Sequence, residues 1–122
     1  MKSKIQTFLS LTLVLGVWLT PAGSSESTVR CVLGNGTTEV FDGKCIFILD
    51  SDGSFAITTP KNDYIMGASP ISVRITKPGH AEVRGLTAYG INSRWGPAKR
   101  SEKDKACWLG DGFSICVYKI TP

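Results

Sequence analysis

Apolar and polar residues alternate in short runs along most of this chain, the period-two signature of strands with one buried face. Ile71, Val73 and Ile75 alternate with Ser72, Arg74 and Thr76. Ala81 and Val83 alternate with Glu82 and Arg84, and Phe113, Ile115 and Val117 with Ser114, Cys116 and Tyr118. Residues 29–33, 37–41, 45–49, 54–59 and 106–109 are further strand candidates. Turn residues punctuate them: Asn35-Gly36, Asp42-Gly43, Asp52-Gly53, Pro78-Gly79 and Asp111-Gly112. Asn-Gly and Asp-Gly suit tight hairpins, whose central residues take positive φ. About eight short strands at this spacing predict an all-β fold, a small antiparallel barrel or sandwich. Residues 98–105 are the one helix candidate, a turn or two at most.

The cysteines sharpen this picture. The chain has four, Cys31, Cys45, Cys107 and Cys116. With Asp111-Gly112 as a two-residue loop, Gly110 faces Phe113 and Cys107 faces Cys116. That pair is a non-hydrogen-bonded one, close enough to bridge. Elimination leaves Cys31 with Cys45, where the turns conflict. If Asn35-Gly36 and Asp42-Gly43 both close hairpins, Cys31 and Cys45 each face Val40 from opposite sides, about 9–10 Å apart and beyond disulfide reach. One of the two turns must be something else. We take it to be Asp42-Gly43, with the chain crossing the end of the first hairpin.

The N-terminus follows a different rule. Lys2 and Lys4 precede an apolar run over residues 8–19, broken by Ser10, Thr12 and Gly16. It is shorter than the roughly 20 residues a spanning helix needs. Pro21-Ala22-Gly23-Ser24-Ser25 then offers small residues for a signal peptidase. Residues 1–22 therefore read as a cleaved signal peptide, with an uncleaved anchor as the alternative, and 23–122 as a single β domain. Removing Lys2 and Lys4 halves the formal charge of +4, which gives no support for nucleic-acid binding. An even cysteine count in an exported small domain reads as two disulfides, in the periplasm or outside the cell.

Candidate chemistry is sparse. Zinc would need paired cysteines or histidines, but no Cys-x-x-Cys occurs and His80 is the only histidine. Asp50-Ser51-Asp52-Gly53 has acidic spacing but lacks the glycine and glutamate positions of a calcium loop, and a turn explains it. His80 follows a turn with no serine or cysteine nucleophile beside it. We expect no metal and no cofactor.

The segment 89–105 stands apart. It lacks alternation, is long for a loop, and collects Tyr89, Arg94, Trp95, Lys99, Arg100, Lys103 and Lys105. Long structured loops are often functional, and Tyr, Trp and Arg dominate binding hot spots. Tyr89, Arg94, Trp95, Lys99 and Arg100 are therefore the candidate binding residues. Trp95 has a second reading, as a plug closing one end of a barrel. Trp108, beside Cys107, reads as core or disulfide packing.

Asp42-Gly43-Lys44-Cys45-Ile46-Phe47, Asp52-Gly53-Ser54-Phe55-Ala56-Ile57, Ala106-Cys107-Trp108 and Ile115-Cys116 together resemble a family of small secreted alphaproteobacterial proteins. That resemblance implies export and the cysteine pattern, and supplies no activity. At the level of architecture the chain is also similar to periplasmic and membrane-bound inhibitors of c-type lysozyme, which are small exported disulfide-bearing barrels. Their Ser-Gly-x-x-Tyr loop is absent. Asn62-Asp63-Tyr64 and Tyr89-Gly90 match it only in part, so no inhibitory residue carries over.

These readings lead to a non-enzymatic exported protein that binds another macromolecule, a protein or cell-envelope component, in the manner of an inhibitor. The rivals are a small hydrolase of envelope glycan or peptide and a structural envelope component.

Overall fold

The computed structural model describes residues 25–61 and 63–120. The predicted signal peptide and Asn62 lie outside the described residues. Eight strands follow one another: β1 (Ser25–Gly34), β2 (Glu39–Leu49), β3 (Phe55–Thr58), β4 (Ala68–Lys77), β5 (His80–Thr87), β6 (Asn92–Arg100), β7 (Cys107–Gly110) and β8 (Phe113–Lys119). Each pairs antiparallel with the next, and β8 pairs back onto β1 to close a barrel. Closure removes the unpaired edges that a small open sheet would expose. The described residues contain no helix.

Alternation decides what fills the barrel. Cys31, Leu33, Ile57, Ile71, Val73, Val83 and Ile115 lie on inward rows and are at most 1% exposed. The middle of the barrel is therefore a packed core of branched side chains. At two places the sequence pattern misleads, and each has a physical cause.

The first is Asp42-Gly43, which is no turn. It lies inside β2, so the expected strands at 37–41 and 45–49 are one. The real connection is residues 35–38, where Asn35 Oδ1 accepts hydrogen bonds from the backbone N–H groups of Thr37 and Thr38. A register shift after Leu33 then places Cys31 opposite Gly43 and Val29 opposite Cys45. Cys31 and Cys45 become diagonal neighbours on the interior face, with Cα atoms 5.9 Å apart, and form the first disulfide. No chain crossing is needed. Asp42 faces outward, its two oxygens each 2.8 Å from an Arg30 nitrogen. Gly43 lies under the ring of Phe41, which covers its bare backbone.

The second is the segment 89–105, which is not a long loop. Most of it is β6, and its alternation is broken by a bulge. Val83 pairs with Gly96 and Arg84 with Arg94, leaving Trp95 as the extra residue. Gly96 absorbs the bend at φ 118°. The expected helix over 98–105 does not form. Residues 98–100 finish β6, and Ser101 Oγ and Asp104 Oδ1 then capture the N–H groups of Lys103, Asp104 and Ala106 in a compact turn. Short polar side chains compete with helix in this way.

The β7–β8 hairpin has the expected register throughout, from Gly110 opposite Phe113 to Cys107 opposite Cys116. The second disulfide joins that last pair, Cα atoms 4.0 Å apart. Trp108 and Ile115 point inward, so this bridge lies on the outer face.

Candidate functional site

Two ends of the barrel matter. One carries the β1–β2, β3–β4, β5–β6 and β7–β8 connections. The other carries the β2–β3, β4–β5 and β6–β7 connections, together with the start of β1 and the end of β8. The five candidate binding residues are spread between them along β6 and its preceding turn, and do not form one surface.

Tyr89 stands at the tip of the β5–β6 turn, 91% exposed. The turn under it is well defined. Thr87 accepts from Gly90 N–H at 2.9 Å and donates to Ile91 O at 2.8 Å, while its hydroxyl accepts from Ile91 N–H at 3.1 Å. Leu86 and Ile91 are also exposed here. Ala68 pairs with Thr87 and is bridged to Ile65, which sets exposed Tyr64 and Met66 in the connection beside this hairpin. Sequence reading found Tyr89 but missed its apolar companions, which sit in two separate turns.

Trp95 points inward at the same end. Partly buried, it packs against the core and meets Phe113 edge to face. Its indole also occupies the space a Cβ at Gly85 would need. This is the placement of a plug. Arg94 lies on the outer face, 2.8 and 3.2 Å from one Glu82 oxygen. Lys99 also faces outward, exposed, between His80 on β5 and Leu109 on β7.

Arg100 belongs to the other end, about 25 Å of strand away from the Tyr89 turn. It pairs directly with inward-facing Trp108, so its side chain joins the interior row of β6 after Gly96 and Ala98. Lys119 is its counterpart on β8: it pairs with buried Val29 and follows Ile115 and Val117 on the interior row. Both line a cavity of about 600 Å³ that opens at this end. The walls are Phe47, Phe55, Ile75, Trp108 and Val117, with the Phe47 and Phe55 rings 4.9 Å apart. The guanidinium of Arg100 sits 5.3 Å from the Trp108 ring centroid, a cation–π distance. Its Nε donates to Lys105 O at 2.7 Å. The one carboxylate in the lining, Asp52, accepts from Ser54 N–H at 2.9 Å, and this bond holds its pKa below the usual range. Of this lining the sequence analysis names Arg100 alone as a binding candidate; Lys119, two residues beyond Val117 on the same row, follows from strand parity and was missed.

A polar cluster covers the outer disulfide. Tyr118 donates to Asp104 at 2.7 Å and lies 3.5 Å from Cys107 Sγ, and Arg30 stacks over its ring at 5.6 Å. The hydrogen bond to Asp104, then burial, raises the Tyr118 pKa; the same bond and Ala106 N–H lower that of Asp104.

Among the described residues no three His, Cys, Asp or Glu side chains gather as a metal site, and no helix is long and apolar enough to cross a membrane. The two disulfides fit an oxidising compartment. Comparison with protein-family models, curated proteins and solved structures gave no match.

Proposed function

We propose that this chain is an exported, non-enzymatic protein that binds another macromolecule, a protein or cell-envelope component, through the β5–β6 end of its barrel. The observation that carries this reading is Tyr89, 91% exposed on a hydrogen-bonded turn with Ile91 60% exposed beside it. Exposing such side chains on an ordered scaffold suits recognition, because little conformational entropy is lost on binding. Tyrosine adds large contact area and a hydroxyl that can hydrogen-bond to a partner. The basic, apolar and small-residue pattern of residues 1–25 supports export, and the disulfides are chemically consistent with it.

Capture experiments test the proposal. The native protein and a Tyr89→Ala, Ile91→Ser variant are incubated with envelope extract and with host secretions. A partner retained by the native protein and lost by the variant, at equal melting temperature, supports the reading. Capture indifferent to both substitutions overturns it. Assay of c-type lysozyme in the presence of the protein tests the inhibitor form directly.

A further inference from the structure

We propose that the opposite end of the barrel is a second, independent site, which takes a single-chain amphiphile: its apolar chain in the cavity, its anionic head on Arg100 and Lys119. The cavity volume of about 600 Å³ lies within the range of small-molecule sites. Its walls are aromatic and aliphatic, and they continue the barrel's own core upward from Val29, Phe55 and Trp108.

The cations distinguish this end from an incompletely packed core. Strand parity places Arg100 and Lys119 on interior rows, where the two residues just before each are apolar or glycine: Gly96 and Ala98 on β6, Ile115 and Val117 on β8. Both side chains reach the mouth of the cavity and are exposed to solvent, so their charges stand available to an incoming head group. The described residues give neither an ion pair, whereas Arg30 and Arg94 each have a carboxylate at 2.8 Å. Arg100 is also tethered at two points: its Cζ lies 5.3 Å from the Trp108 ring centroid, and its Nε donates to Lys105 O at 2.7 Å. The terminal nitrogens of a guanidinium form a fork suited to carboxylate or phosphate. Asp52, already engaged by its own turn, is the single opposing charge, so the lining carries a net positive charge. An apolar cavity with a cationic rim selects an apolar body with an anionic head.

Calorimetric titration tests this, with dodecanoate, dodecyl phosphate and dodecanol as probes below their micellar concentrations. Saturable one-site binding of dodecanoate or dodecyl phosphate is expected, at least tenfold tighter than dodecanol; the tighter of the two anions identifies the preferred head. Arg100→Met, which keeps an unbranched stem over Trp108, should bring the anion down to the affinity of dodecanol and leave dodecanol unchanged. Lys119→Met, which leaves the Arg100–Trp108 contact intact, should weaken the anion several-fold. Tyr89→Ala should bind all three probes as the native protein does, separating this site from the macromolecular one. Equal affinity for dodecanol and the anions, no saturable binding of any probe, or anion affinity unchanged in both cation variants would overturn the proposal.

Discussion

Trp95 meets Phe113 edge to face, ring centroids 5.6 Å apart and planes at 65°. The two residues come from β6 and β8, which do not pair, so the contact spans the barrel interior at its β5–β6 end. Tyr89, at the same end, makes no such contact and is almost wholly exposed. The two aromatics therefore separate by experiment. Trp95→Ala should cost about 3 kcal/mol, the low end for truncating a large core aromatic, because Trp95 is only partly buried. Tyr89→Ala should stay within about 0.5 kcal/mol of the native protein. Urea unfolding measures both, and a Trp95→Ala protein of native stability would reassign that residue from plug to anchor.

The fold was legible wherever one strand kept its period. Val73, Val83 and Ile115 alternate without interruption, and the β7–β8 register followed from Asp111-Gly112 alone. Legibility failed where a glycine lay inside a strand. Gly43 sits mid-strand beneath Phe41, and Gly96 turns a bulge inside β6. The strand count survived because two errors offset each other: β2 was divided and β6 was missed. The candidate site was less legible still. Tyr89 and Arg100 are near in sequence but occupy opposite ends, because β6 runs the length of the barrel between them. Phe47, Ile75 and Val117 come from three strands and meet only once the barrel closes.

The two disulfides should respond differently to the residue that replaces them. Cys31 and Cys45 are fully buried in the interior, whereas Cys107 lies on the outer face within 3.5 Å of the Tyr118 hydroxyl. Loss of either bridge should cost about 2–4 kcal/mol. Serine at 31 and 45 adds buried hydroxyls among apolar neighbours, and should cost about 1–3 kcal/mol more than alanine at both. At 107 and 116 the serine and alanine pairs should be nearly equal, since Tyr118 can bond a hydroxyl there. Thermal melts of the four double variants check this, and equal serine and alanine costs at 31 and 45 would contradict the interior placement.

Gly110 is constrained by a ring, not by its backbone. The Phe113 side chain fills the space that a Cβ at Gly110 would enter, and Phe113 is itself buried against the core. Gly110→Ala must displace Phe113, and through it the contact with Trp95. A cost of about 1–3 kcal/mol is expected, in the range for overpacking. Combining Gly110→Ala with Trp95→Ala should cost less than the sum, because the second change opens room for the displaced ring. Strict additivity in a double-mutant cycle would show that Phe113 does not couple them.

The Asp104–Tyr118 hydrogen bond predicts how stability depends on pH at both limits. Folding lowers the Asp104 pKa, so its contribution is present above the unfolded value of about 3.9 and is lost as pH falls through the folded one. Asp42, bonded to Arg30, and Asp52, bonded to Ser54 N–H, lose theirs in the same direction. Folding raises the Tyr118 pKa, because the phenol donates to Asp104 only while protonated. That contribution is present below the unfolded value of about 10 and is lost as pH rises through the folded one. Stability should therefore decline on both sides of a neutral plateau. Tyr118→Phe removes the donor and the titrating phenol together. It should flatten the alkaline decline and make the acid decline shallower without abolishing it, since Asp42 and Asp52 keep their partners. Urea midpoints for native and variant protein, at intervals from about pH 2 to about pH 11, give the comparison. An alkaline slope unchanged by Tyr118→Phe would show that another group governs it.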